Sequence, residues 1–215
     1  MIDFKINYFD LGLYRGVELR WVVESIFPSL KIENYKAFGF EACEKYAKNL
    51  DRYFAKHEKV EIVHRAISDD EEVKLYYAPN ALGHSIYDTK YNVDRTKFET
   101  VQGIKFSEWV RENVTDFENS FNILKVNIEG AEFPLFKDIC STGLNKHIQI
   151  FCGAGHDVEK VGEFKDLVDD YYSLLESNNI HLLRFTEWKP HQNADIKHEI
   201  KKQMIEFYKR RVGTV

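Results

Sequence analysis

The sequence has no long apolar run and few residues that cross-link or interrupt a chain. Of its 215 residues, 3 are cysteine and 4 are proline. No stretch approaches the roughly 18 consecutive apolar residues of a transmembrane helix, so we expect no membrane span. Cys43, Cys140 and Cys152 form no CxxC pair. Free thiols of this kind are typical of a reducing compartment, and residues 1–16 carry scattered charges unlike a signal peptide, which predicts a cytoplasmic protein.

An excess of positive charge is also missing. The chain has 30 basic and 35 acidic residues, a net charge of −5, whereas nucleic-acid-binding proteins are usually basic. Composition therefore argues against a nucleic-acid partner and leaves a homo-oligomer open. With 44% hydrophobic and 14% aromatic residues, the chain has enough apolar area for a folded core. We predict one domain over residues 1–215.

Short apolar segments alternate with longer amphipathic ones, which predicts an α/β fold with a mostly parallel sheet and helices on both faces. The predicted strands span residues 2–10, 35–40, 60–67, 98–104, 121–128, 148–152 and 181–185. The predicted helices span residues 17–27, 44–57, 106–114, 129–139, 161–178 and 195–211. Residues 70–105 would form an inserted hairpin and loop, in which the polar segment 79–95 is a loop or a lid.

The first strand is predicted to run into a glycine-containing turn and then a helix. Gly12 would let the turn approach a ligand, and Gly16 would let the helix begin close to the strand. The spacing D-x-G-x-x-x-G begins with Asp10 and differs from the G-x-G-x-x-G of dinucleotide folds. With Glu41 at the end of the second strand, this pattern favours a ligand with hydroxyl and cationic groups, such as S-adenosylmethionine. The alternative is a tight turn with a helix-capping acid.

Polar residues also alternate along the strand over residues 121–128. Lys125, Asn127 and Glu129 would share one face, although a strand inside a parallel sheet should be apolar on both faces. This pattern indicates either a site or a costly buried polar network. Glu132 would lie near Glu129, where like charges favour a proton acceptor or a metal ligand. Alternatively, Glu132 only stabilises the start of a helix.

Four segments together resemble the FkbM family of class I S-adenosylmethionine-dependent methyltransferases over roughly residues 4–157. They are D-L-G-L-Y-R-G, F-G-F-E, H-R-A-I-S-D and L-K-V-N-I-E-G-A-E-F-P-L-F, in that order. The resemblance implies a Rossmann-like, doubly wound sheet of seven strands. It also implies O-methylation of a hydroxyl on a sugar, glycan or glycosylated metabolite. The alternative is a non-catalytic module that binds the cofactor or a partner; a nicotinamide-dependent oxidoreductase is disfavoured by the missing glycine motif.

The resemblance also implies a set of site residues. Those expected to bind S-adenosylmethionine are Asp10, Gly12, Leu13, Gly16, Glu41, Ala42, Ala66, Ile67, Ser68 and Asn127. Those expected at the transfer site are His156 as proton acceptor, Glu129 as its orienting partner and Lys125 as electrostatic support. Gly83 and Ser85 are similar to a Gly/Ser stretch of the family.

Two departures from the family pattern qualify this site. Asn127 replaces the family's usual Asp, so a divalent cation held by Glu129, Glu132 and His156 is disfavoured. Leu13 and Tyr14 replace the more usual Ala and Asn, which predicts a narrower or occluded cofactor pocket. Basic residues in the last predicted helix leave an anionic acceptor open.

Overall fold

The computed structural model of the protein describes residues 4–186, 189 and 191–213. Its strands are β1 (Ile6–Leu11), β2 (Tyr35–Phe40), β3 (Val60–Val63), β4 (Ala66–Ile67), β5 (Glu72–Tyr77), β6 (Asp94–Ile104), β7 (Phe121–Val126), β8 (Ile148–Gly153) and β9 (Leu182–Arg184). Helix α1 combines Val17–Arg20, the π-helical Trp21–Ile26 and Phe27–Ser29. The others are α2 (Glu44–Phe54), α3 (Phe106–Asn113), α4 (Glu132–Ser141), α5 (Val168–Ser177) and α6 (Gln192–Val212).

The central sheet has six strands in the order β3-β2-β1-β7-β8-β9, and every neighbouring pair is parallel. The prediction of seven strands was therefore wrong. Predicted strand 60–67 divides into β3 and β4, and predicted strand 98–104 is part of β6. Strands β4, β6 and β5 form a separate three-stranded sheet. Apolar alternation identifies a strand but not its hydrogen-bonding partner, so sequence alone could not assign β6 to a second sheet.

Helices cover both faces of the central sheet, as predicted. On one face, α3, α4 and α5 pack through Trp109, Phe136 and Tyr171 against a core that includes Phe9 and Leu124. On the other face, α1, α2 and α6 supply the buried residues Leu19, Val22, Leu50, Ile196 and Ile200, which pack with Ile6 and Tyr8. The fold is Rossmann-like, and its strand order reverses between β1 and β7. Open α/β sheets bind ligands at the carboxyl ends of strands beside such a reversal.

Several element boundaries differ from the prediction for local reasons. Helix α4 begins three residues later than predicted because Glu129 and Gly130 have positive φ values of 56° and 114°. Pro28 lies within the last turn of α1 and does not end it. Predicted helix 161–178 begins with a 3₁₀ segment, Gly162–Leu167, before α5. The start of predicted strand 2–10, at Ile2 and Asp3, lies outside the described residues.

No helix in the described part of the chain has the length and apolar character needed to cross a membrane.

Candidate functional site

A buried ion pair lies beneath the turn that follows β1. The carboxylate of Asp10 and the ammonium of Lys125, on the neighbouring strand β7, are 2.8 Å apart, and their side chains are 0% and 1% exposed. Lys125 also donates to the backbone carbonyl of Gly12 at 2.9 Å, and the hydroxyl of Tyr8 donates to Asp10 at 3.2 Å. Burial raises the pKa of Asp10 to about 6, although the Lys125 ammonium opposes the rise. The pair therefore supports the Gly12 turn from below, and neither side chain lines a cavity.

The turn itself requires its two glycines. Gly12 has a φ of 83°, and a Cβ there would lie 1.9 Å from the backbone oxygen of Asn127. Gly16 has a φ of 65°, and a Cβ there would lie 2.6 Å from Leu50 of α2. The side chain of Leu13 packs closely over Gly39. The sequence prediction of a tight strand-to-helix turn is confirmed, with Gly12 at the crevice and Gly16 buried under the helix.

A small cavity of about 90 Å³ lies at the ends of β1, β2 and β4. It is lined by four residues of the expected cofactor set besides Gly12 and Asn127, namely Glu41, Ala42, Ala66 and Ile67. Asp10, Leu13, Gly16 and Ser68 do not line it. The Ser68 hydroxyl instead accepts from the backbone N of Asp70 at 3.1 Å.

Glu41 is the principal acid of this small cavity, and backbone amides already bind it. Its carboxylate accepts from the backbone N of Tyr14 at 2.6 Å and of Cys43 at 2.8 Å. Burial raises the pKa of Glu41 to about 7, and these two hydrogen bonds oppose the rise. Tyr14 and Leu82 also line the cavity, whereas Leu13 does not, and the narrowing expected from Leu13 and Tyr14 stays a prediction.

The turn between β7 and α4 is held by a buried acid. Glu132 accepts from the backbone N of Ile128 at 3.0 Å and of Gly130 at 2.8 Å, and it is fully buried. Burial raises the pKa of Glu132 to about 8, with a further rise caused by the carboxylate of Asp157. These contacts are those of a group that shapes the turn. Glu132 lines neither the small cavity nor the larger one that neighbours it.

Glu129 lies at the same turn. It lines the small cavity and also a larger cavity on the other side of the turn, which is described below. Its carboxylate forms an ion pair with Lys90, whose side chain is 0% exposed. Burial raises the pKa of Glu129, Asp157 raises it further, and Lys90 opposes the rise. The backbone oxygen of Glu129 accepts from the hydroxyl of Ser85 at 2.7 Å. A buried cation and a buried hydroxyl thus fix this strained residue.

Lys90 and Ser85 belong to residues 79–95, which we call the strap. The strap is docked across the site: besides its bonds to Glu129, Lys90 donates to Gly83 at 3.2 Å. Gly162 donates to Thr89 at 3.2 Å, and Tyr91 to Lys160 at 3.1 Å. The sequence predicts a loop or a lid over this segment and does not single out Lys90. No local signal could have found it, because the burial of a lysine in a polar segment depends on the surfaces packed around it.

A larger cavity of about 830 Å³ lies on the other side of the β1–β7 reversal. The ends of β7, β8 and β9 form most of it, and α5 closes one side through Tyr172 and Glu176. His156 is exposed and lines this cavity, on the turn after β8. The two cavities share a wall formed by Gly12, Tyr14, Leu82, Asn127 and Glu129.

The three residues predicted at the transfer site are not brought together as a unit. Glu129 and His156 both line the larger cavity, whereas Lys125 is buried with Asp10. The strand alternation that grouped Lys125 with Glu129 ends at Val126, where β7 ends. Within the described ranges, no group of three or more His, Cys, Asp or Glu side chains is arranged to hold a metal ion.

No family model matches the sequence, and no curated protein sequence matches it. The resemblance to the FkbM family stays a prediction that its motifs carry.

Proposed function

We propose that the protein is an S-adenosylmethionine-dependent O-methyltransferase that binds its cofactor in the small cavity and its acceptor in the larger one. The observation that carries this proposal is the wall shared by the two cavities at the carboxyl edge of the sheet. Methyl transfer is an in-line displacement, so donor and acceptor must meet from opposite sides of one narrow boundary. Two adjacent cavities at the point where the strand order of the sheet reverses would place the donor and the acceptor on opposite sides of their shared wall.

The donor set of the small cavity suits adenosine. Each oxygen of Glu41 accepts one backbone hydrogen bond and keeps a further lone pair, so the carboxylate can still accept from the two hydroxyls of a ribose. Ala66 and Ile67 are buried and apolar, as the wall of an adenine site would be. Gly12 presents its peptide to the crevice without a side chain.

The volume of the small cavity sets a condition on this binding. At about 90 Å³ it lies well below the roughly 300 to 1,000 Å³ of ligand pockets. Binding of the whole cofactor therefore requires Leu82, in the 3₁₀ turn Ala81–Gly83 of the strap, or Tyr14 to move outward. Both residues border the larger cavity, so their movement would enlarge the small cavity toward it.

The chain's own residues would then divide the work. When bound, S-adenosylmethionine supplies an electrophilic methyl group. Glu129 and His156 line the acceptor side and are the side chains that could take the proton of an acceptor hydroxyl. Lys125 is a positioning residue, because it reaches the crevice only through the carbonyl of Gly12.

The test is a calorimetric titration with S-adenosylmethionine and with S-adenosylhomocysteine. We expect both to bind, and we expect Glu41→Gln to weaken binding about tenfold or more, because a charged acceptor of the ribose hydroxyls is lost. Glu61→Gln is the matched control, since Glu61 lies on the neighbouring strand β3 with its side chain 47% exposed and outside both cavities. Absence of binding by either compound at about millimolar concentration would overturn the proposal.

A second candidate function is a non-catalytic interaction module with the same fold. The small volume of the first cavity and the backbone hydrogen bonds already made by Glu41 favour it. The same titration separates the two candidates, because an interaction module with a closed cavity would bind neither compound.

A further inference from the structure

The larger cavity contains acidic side chains, but most of them already have partners. Glu129 pairs with Lys90, and Asp157 pairs with Lys160. Glu18 is buried and has a partner of its own. Glu176, exposed on α5, forms no ion pair in the described part of the chain. Pairing with Lys90 and Lys160 thus neutralises two of the four acids that line the cavity.

Two basic side chains of this cavity, unlike Lys160, have no acidic partner among the described residues. Arg184, at the end of β9, and Lys189, shortly after it, are exposed and line the cavity. Their side chains form no hydrogen bond or ion pair with any residue that the structure describes. The same holds for two histidines of the lining, His156 and His181. The positive charges of Arg184 and Lys189 are therefore free to contact a ligand in this cavity.

Three of these four groups come from one short stretch of the chain. Residues 181–192 contain His181, Arg184, Lys189 and His191 against a single acid, Glu187, which lies outside the described residues. His181, Arg184 and Lys189 all line the cavity at the β9 side, opposite the shared wall. Arg184 offers a planar guanidinium and Lys189 an ammonium, and both kinds of group bind carboxylates and phosphates.

We infer that the larger cavity binds a ligand with an anionic group, a carboxylate or a phosphate, held by Arg184 and Lys189. The inference rests on the proposed function for one point only, that this ligand is the methyl acceptor. The acceptor class is then a hydroxyl compound that carries this anionic group, and an anionic sugar such as a uronic acid or a sugar phosphate serves as its probe. Its charged group would lie at the β9 wall, and a hydroxyl would point toward Glu129 and the shared wall.

The experiment measures binding of three probes by ligand-observed NMR and calorimetry in the absence of cofactor. The probes are glucuronic acid, glucose 6-phosphate and neutral glucose. The first two distinguish a carboxylate site from a phosphate site, and glucose reports what the sugar ring contributes alone. The variant Arg184→Met with Lys189→Met removes both charges. Lys201→Met with Lys209→Met, on exposed positions of α6, changes the net charge equally and serves as the matched control.

We expect at least one anionic sugar to bind the wild-type protein about tenfold more tightly than glucose, and the Arg184/Lys189 variant to lose that preference. The α6 variant should keep it. Equal binding of neutral and anionic sugars, no saturable binding of either anion, or equal losses in both variants would overturn the inference. Displacement of the bound anion by S-adenosylmethionine would also overturn it, because the β9 wall would then bind the carboxylate of the cofactor.

The outcome is independent of the calorimetric test of the proposed function. Anion binding without any binding of S-adenosylmethionine would support the site and reject the methyltransferase. Binding of S-adenosylmethionine without any preference for anionic sugars would support the proposed function and reject the anion site.

Discussion

Replacement of Lys125 by methionine tests whether the buried ion pair supports the Gly12 turn. The change keeps most of the side-chain volume but removes the partner of Asp10, which is 0% exposed. It also removes the donor to the Gly12 carbonyl. Of the contacts described for the Asp10 carboxylate, only the hydrogen bond from Tyr8 would remain.

The expected loss of stability is large because both groups are out of contact with water. Breaking a buried ion pair by removing one partner typically costs about 3 to 5 kcal/mol. For a domain of about 150 to 250 residues, each kcal/mol lowers Tm by roughly 2 to 4 °C. We therefore expect Lys125→Met to melt about 6 to 20 °C below the wild-type protein.

The loss should also depend on pH. Burial raises the pKa of Asp10 from 3.8 to about 6, so this carboxyl favours the folded state at low pH and loses that contribution as pH rises through 6. Lys125 opposes the rise, and its removal should raise the pKa of Asp10 further. The stability gap between variant and wild-type protein should then widen between about pH 5 and pH 8. Differential scanning calorimetry at both pH values measures it.

Two further variants make the test specific. Asp10→Asn combined with Lys125→Met should recover part of the loss, because no unpaired charge stays buried. Lys48→Met removes an exposed pair with Glu44, and we expect it to change the stability far less than Lys125→Met does. A Lys125→Met protein within about 1 kcal/mol of wild type at both pH values would refute the reasoning.

Three other predictions concern the turns and the strap. Gly12→Ala should lower the free energy of unfolding, measured by chemical denaturation, by several kcal/mol more than Gly143→Ala does. Both glycines have positive φ, but of the two only Gly12 would place a Cβ against backbone atoms. Equal losses would contradict this reasoning. The pKa of Glu132 is raised to about 8, so the stabilisation of the folded state by this carboxyl is lost as pH rises between about pH 5 and pH 8. Glu132→Gln should therefore make the free energy of unfolding depend less on pH over this range. An unchanged pH dependence would contradict the raised pKa. Lys90→Met removes the bonds of Lys90 to Gly83 and Glu129, so it should increase deuterium uptake by the backbone amides of residues 79–95 but not by those of α3. Unchanged protection of these amides from exchange would show that other contacts hold the strap.

The local turn chemistry of this chain could be predicted from its sequence. D-x-G-x-x-x-G between an apolar segment and an amphipathic one specifies a strand, a tight turn and a helix, and the structure has all three. The polar alternation of β7 indicated either a site or a buried network. The buried network is present, because Lys125 pairs with Asp10, and Glu129 lies beyond the end of β7 and borders both cavities.

Pairing between distant segments could not be predicted in the same way. The assignment of β6 to a second sheet depends on its antiparallel partner β5 and on its parallel partner β4. The burial of Lys90 depends on Gly83 and Glu129. Neither is encoded in the period or composition of one segment.

The turn from Glu129 to Glu132 combines backbone strain with buried charged groups, both of which lower the stability of the folded state. These features support a functional role for the turn. Glu129 adopts a positive φ without being glycine, and such strain persists only where the surroundings enforce it. The enforcing groups include a fully buried lysine, Lys90, and a fully buried acid, Glu132. Apolar residues of similar volume would often stabilise a fold equally well without the desolvation of charge. The proposed binding of ligands where the two cavities meet therefore accounts for these groups better than the stability of the fold does.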